Sequence, residues 1–287
     1  MIQVLKAVFS HFFDSDTFQK GAALAYYAVF SIFPIIIITS LLLGLFFGEQ
    51  AVAGDIYKQL NATLGKDAAL QIQEIIKNQH RFSNGILMTI IGFASLAFSA
   101  SGMLGQIHNA FNKIWNIKEK PKNGLKKYIS KQVISFVILI VLFFIIFLST
   151  TLNSFLSKHA AGLHIDYKLL FVYEHLISFV FVSLIFAVMF KYLGDAIIHW
   201  KSLIYGGLFT AFFFLIGKIG ISMYIGHSHI SSTFGAASVL ALIMLWVYYT
   251  SQIIFLGASF VKIISEKMHC AIQANEHAVL VEHKEVD

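Results

Sequence analysis

The stretch Phe136–Leu148, FVILIVLFFIIFL, is an unbroken run of apolar side chains. A half-buried strand would alternate apolar and polar residues, and this run does not. With its flanks it extends over Val133–Leu152, about the 20 residues a helix needs to cross the hydrocarbon core of a bilayer. Five further windows have the same character: Ala22–Phe47, Ile86–Leu104, Leu169–Leu193, Leu203–Ile225 and Gly235–Val261. In lipid only helices and closed barrels satisfy their backbone polar groups, and uninterrupted runs favour helices. The expected fold is all-α: a polytopic membrane protein with six transmembrane helices plus interfacial amphipathic helices.

Composition points the same way. Of 287 residues, 57% are hydrophobic and 13% charged, and the mean hydropathy is +0.75. A soluble domain carries nearer a quarter charged residues. The net charge of +6 raises nucleic acid as a partner, but 20 of the 21 basic residues are lysine, and only Arg81 offers a guanidinium fork. Readers of nucleic acid favour arginine. If the N-terminus is cytoplasmic, the inner segments hold 14 basic residues and the outer ones 6. The positive-inside rule then places both termini in the cytoplasm. The basic balance reads as topology, and no nucleic-acid partner is expected. The single cysteine, Cys270, excludes a disulfide framework. No cleavable signal peptide is read, because the first apolar run is too long and lacks a basic flank.

One transmembrane domain is expected over residues 1–265, followed by a cytoplasmic tail over 266–287. Ile2, Leu5, Phe9, Phe12 and Phe13 recur at helical spacing and predict an amphipathic helix on the inner interface. Asp16 and Gln19 have capping-box spacing at the head of the first span. The external loop 49–85 carries two amphipathic patterns, a packing cap or a lid. In the cytoplasmic basic loop 105–132, the stripe Leu104, Ile107, Phe111, Ile114, Trp115 continues the second span and puts Trp115 at headgroup level. A turn follows at Pro121 and Gly124. The mixed-charge tail is expected to be partly disordered. No internal repeat supports an inverted-repeat transporter.

Several positions stand out. Gly21, Ala25 and Ala28 share one narrow helical face suited to close packing, opposite Tyr26, Phe30 and Phe33. Pro34 kinks that helix and frees the carbonyl of Phe30, either as a packing device or as a bend beside a substrate path. Lys218 is an ionisable group at membrane depth, able to snorkel or to meet an anionic headgroup. Tyr224 follows it near the outer interface. Tyr248 and Gln252 lie one turn apart in the last span and can glue helices or line a path. Asn109 and Asn112 can cap or bridge after the second span. Glu174, His175 and Asp195 are read as interface groups, with a proton relay as the sharper alternative. His227 and His229 form a His-x-His pair without a third local ligand, so no metal is assigned. No cofactor is expected either, since no Walker loop, dinucleotide fingerprint or nucleophilic triad order is present.

Four segments in order resemble the YihY family, also called the virulence factor BrkB family, of bacterial inner-membrane proteins. They are AALAYYAVFSIFP; ASGMLGQIHNAFNKIWNI, with Asn112, Ile114 and Trp115; GKIGISMY, with Lys218 and Tyr224; and GAASVLALIMLWVYYTSQIIFLGAS. The resemblance covers about Phe9 to Val261. Ser259 stands where the family usually has glutamate, and Phe234 where a tyrosine is common. The resemblance implies a six-span protein of the bacterial inner membrane. The family once carried a ribonuclease BN label, and this sequence lacks a metal-nuclease signature. Some members are linked to movement of envelope lipid or lipopolysaccharide, others to serum resistance. The expected function is therefore non-enzymatic: moving or accommodating an amphipathic envelope molecule such as an anionic lipid. The alternative is a structural or assembly partner without transport, and a membrane-bound ribonuclease is the remote third. Membrane lipids are the expected partners, with a homo-oligomer or envelope proteins possible.

Overall fold

The computed structural model describes residues 2–31, 70, 85–120, 148, 167–227 and 236–281. Among them, helix α1 is Ile2–Phe13, α2 covers 17–31, α3 is Gly85–Ile114, α4 Tyr167–Tyr192, α5 Trp200–His227 and α6 Ala236–Lys267. Four short strands accompany them: β1 (Ile117–Glu119), β2 (Ala196–Ile197), β3 (Gln273–Ala274) and β4 (Ala278–Leu280).

Among the described residues, three helices are long and apolar enough to cross a membrane, over His175–Tyr192, Trp200–Ile221 and Leu240–Lys267. On α5 the exposed residues Ile204, Leu208, Phe212, Ile216, Ile219 and Met223 recur every three or four positions. That continuous apolar stripe suits lipid; a soluble monomer does not carry one. The window Ile86–Leu104 falls within α3. Most of Ala22–Phe47 and Val133–Leu152, the loop 49–85 apart from Leu70 and Gly85, and the turn at Pro121 and Gly124 lie outside the described residues.

The chain divides into two compact units. The first comprises residues 1–17, 107–216 and 252–287. Its core is Phe111, Ile114, Trp115, Phe190, Leu203, Phe255 and Val261, all under 2% exposed. Close approach of α5 and α6 depends on small residues: a Cβ on Gly206 would strike Val261, and one on Gly257 would strike Thr210. Phe209 and Phe260 stack across this seam with ring centroids 4.1 Å apart. Helix α1 buries Val8 and Phe12 but turns Phe9 and Phe13 outward. The expected single apolar stripe is thus two faces, one against protein and one outward. The imidazole Nε2 of His11 lies 2.7 Å from the carbonyl of Ile114, the last residue of α3, so its N–H caps that helix end.

Three left-handed residues fall in the described part of this unit, Asp16, Asn116 and His269, and the last two end long helices. Asn116, with φ 55°, turns the chain out of α3 into β1. His269, also φ 55°, ends α6: its N–H donates to Glu266 O, and the Cys270 N–H to Ser265 O, which is a Schellman closure. The tail then folds back. Strand β4 pairs antiparallel with β1, Lys118 opposite Val279, and β3 pairs antiparallel with β2, Ala196 opposite Ala274. The expected disorder of the tail does not hold over residues 268–281, because its backbone groups find partners in the segments that follow α3 and α4.

The second unit comprises residues 18–106 and 217–251. Leu24, Ala25 and Ala28 are buried there. Tyr27 lies so close over Gly102 that a Cβ at that position would strike its ring, and Tyr249 lies as closely over Gly217.

Candidate functional site

Among the described residues, a polar cluster gathers within the first unit. His108 and Asn112 sit one turn apart near the end of α3, so both side chains leave the same face. Asp195 lies in the short connection between α4 and β2. Glu119 closes β1. Asn275 comes from the tail, in a tight turn whose Ala278 N–H donates back to Asn275 O.

Asp195 organises the group. It is 6% exposed, and a buried carboxylate is tolerated only when hydrogen-bonded. Its Oδ1 accepts from Asn275 Nδ2 at 3.1 Å, and its Oδ2 from Asn112 Nδ2 at 3.1 Å. Its N–H donates to Asn112 Oδ1 at 2.9 Å, and its carbonyl accepts from the Asn275 N–H at 3.0 Å. Each asparagine therefore grips both backbone and side chain of one residue. His108 Nε2 lies 3.2 Å from Asp195 Oδ2, and His108 Nδ1 lies 3.6 Å from Glu119 Oε1. One imidazole thus stands between two carboxylates, one buried and one partly exposed. Asn112 Nδ2 is 3.3 Å from His108 Nδ1. In the neutral ring, Nε2–H donates to Asp195 while Nδ1 accepts from Asn112. Such a set can ligate a cation or pass a proton between solvent and the buried acid. Nearby lysines are occupied: Lys120 Nζ donates to Glu276 O, Lys191 Nζ to Ile198 O, and Lys113 pairs with Asp16.

Two of the positions singled out from the sequence, Asn112 and Asp195, belong to the cluster, and the others fall elsewhere. Trp115 lies just past α3, and both it and Asn112 are buried in protein, 1% and 5% exposed. The indole packs on Phe111, comes so close to Gly194 that a Cβ there would strike it, and donates to Ala258 O at 3.0 Å. Its donor is satisfied inside the protein, so it needs no headgroup. Lys218 is exposed on α5. Tyr224 is in the same helix, and its side chain lies outside the described residues. Tyr249, rather than Tyr248, reaches α5 beside Lys218, at Gly217. Tyr248 is half-buried, and its carbonyl accepts from Ser251 Oγ at 2.6 Å. Gln252 Nε2 donates to Thr17 O at 3.4 Å, while its Oε1 is buried with no hydrogen-bond partner among the described residues. Gly21, Ala25 and Ala28 are buried, and Tyr26 and Phe30 are exposed with rings 4.7 Å apart. Pro34 and His229 lie outside the described residues, as do the side chains of Glu174 and His227. Asn109 is exposed, and Asp16 sits at φ 50° just before α2.

His108, Glu119 and Asn275 were not singled out. The only signal for them was the His108–Asn112 spacing on a helix leaving the membrane, since the other members are distant in the chain.

The chain is similar to proteins named only as membrane proteins. A UPF0761 membrane protein of Psychrobacter sp. (strain PRwf-1) is 26% identical over 88% of this chain and 46% of its own length. One of Teredinibacter turnerae is 25% identical over 94% of this chain and 62% of its own. One of Mannheimia succiniciproducens is 24% identical over 92% and 91%. The chain thus spans about half to three-fifths of the length of the first two and nearly all of the third. No solved structure matches it. The family model described as virulence factor BrkB matches residues 8–280. With its apolar spans and membrane-protein relatives, this chain belongs to the virulence factor BrkB family.

Proposed function

We propose that this protein accommodates or moves an amphipathic envelope molecule with an anionic headgroup, and that Lys218 meets that headgroup. One observation carries the reading. Lys218 is exposed on a membrane helix among exposed Ile216, Ile219 and Met223, and the sequence holds no Asp or Glu between Asp195 and Glu266. A cation at that depth needs an anion or an aqueous path. Neither α5 nor α6 as far as Ser265 supplies a carboxylate, so the counterion comes from outside these helices. From the helix end at His227, Lys218 is nine residues in, about 13 Å at the helical rise. Its stem spans part of that distance, which carries the ammonium toward phosphate level.

In this reading the protein is a six-span, non-enzymatic component of the bacterial inner membrane with both termini in the cytoplasm. Lipids are its partners, and nucleic acid is not. The lysine asymmetry supports the orientation.

The test is lipid movement in proteoliposomes holding fluorescent phosphatidylglycerol or phosphatidylcholine, read by bleaching with a membrane-impermeant reductant. Protein-dependent bleaching beyond the outer leaflet is expected. Lys218→Ala should slow the anionic lipid at least fivefold, and Lys218→Arg should restore it. Bleaching no greater than in empty vesicles, with folded protein, sinks the transport reading. A Lys218→Ala rate equal to wild type sinks the role of the lysine.

A further inference from the structure

We propose that His108, Glu119 and Asp195 form a binding site for a divalent transition-metal ion, of the Mn²⁺ or Zn²⁺ class. This inference is independent of the role given to Lys218. Each of the three residues offers a ligand atom, and these atoms lie within 4.8 Å of one another. They come from the end of α3, from β1 and from the α4–β2 connection, so an ion would tie three separate segments.

The geometry is close to ligation. His108 Nε2 and Asp195 Oδ2 are 3.2 Å apart. Two ligands held at about 2.0–2.2 Å from one ion are separated by roughly 3.0–3.4 Å, so this pair needs almost no movement. An ion at Nε2 replaces the proton that the ring otherwise donates to Asp195. Glu119 completes the set. Its side chain is 39% exposed, the least confined of the three, and can swing to the ion from its present place beside Nδ1. Asn112 Nδ2 stands near Nδ1 and presents a donor, which disfavours a cation on that side.

The surroundings are those of a supported metal site. Ligating carboxylates are usually held by outer hydrogen bonds. Asp195 accepts from Asn112 and from Asn275, which fix the carboxylate. One imidazole with two carboxylates selects ions between the hard and soft limits, hence Mn²⁺ or Zn²⁺ rather than Cu(I). Three protein ligands leave a position for water or an exogenous anion.

The full chain, purified in detergent and stripped with EDTA, is titrated with Mn²⁺, Zn²⁺ and Mg²⁺. Bound Mn²⁺ is counted by EPR, and melting is followed by fluorescence. One Mn²⁺ or Zn²⁺ per chain is expected, with a raised melting temperature. Glu119→Gln should weaken binding at least tenfold while melting as wild type in EDTA, so the loss is not one of folding. His108→Gln should remove binding. The proposal is overturned if no saturable binding at one per chain is found below about 1 mM. It is also overturned if Glu119→Gln and His108→Gln bind as wild type, or if His227→Ala with His229→Ala abolishes binding.

Discussion

Asp195 and Lys218 are two charges in a chain that has few, and their settings are opposite. Asp195 is buried, and three side chains converge on its carboxylate. Lys218 is exposed on an apolar helix, and the neighbouring stretches of sequence contain no acid. A buried charge whose partners are supplied by the fold is structural first, because removing either side strands the other. A charge whose counterion must come from outside its own helix contributes little to that helix's packing and is available for binding. Burial and partner supply, rather than charge itself, separate a clasp from a contact point.

The most severe way to break that comparison is to truncate both residues. Asp195→Ala leaves Asn112, Asn275 and His108 without their shared acceptor, a loss of about 3–5 kcal/mol in analogous buried pairs. It should lower the melting temperature sharply and expose the tail near Asn275 to protease. Lys218→Ala should leave melting unchanged in detergent. Equal destabilisation by the two would erase the distinction. An Asp195→Ala protein that melts as wild type would show that the hydrogen bonds around the carboxylate contribute little.

A smaller effect comes from α1. Burial pushes the His11 pKa below the ordinary 6.5, helped by Lys262, while the bond to Ile114 O, Glu266 and Asp14 oppose it. A histidine with a depressed folded-state pKa binds fewer protons folded than unfolded. Its contribution is therefore fully present above pH 6.5 and is lost as pH falls through the folded value. Because the ring keeps part of its solvent, the loss should stay under about 1 kcal/mol. Melting should fall between pH 7.5 and 5.5, and fall less in His11→Gln, which retains a donor for Ile114 O without titrating. A fall of the same size in His11→Gln would assign the pH dependence to another group.

The two settings also differ in how far they could be read from sequence. Apolar runs declare their own solvent, so α4, α5 and α6 follow from length and composition. The small face at Gly21, Ala25 and Ala28 follows from helical period alone. The clasp does not. Asn112 and Asp195 are 83 residues apart, and Asn275 lies 80 beyond Asp195, so only the packed fold unites them. The tail read as partly disordered because its composition is polar, yet its strands are three residues or fewer and borrow partners from β1 and β2. Trp115 read as interfacial because tryptophan favours headgroups, but a satisfied N–H and the space left by Gly194 make burial equally accessible to it.

The smallest expected effect is at Ser259, which is neither clasp nor contact point. It is fully buried, and its Oγ has no hydrogen-bond partner among the described residues. A buried hydroxyl in that state costs desolvation without return. Ser259→Ala should therefore be neutral or stabilise by up to about 1 kcal/mol, read as an unchanged or slightly raised melting temperature. A clear drop would mean that the hydroxyl is bonded after all, through a trapped water for example. The position where the family usually carries an acid would then join Asp195 as a polar centre supplied from within the fold.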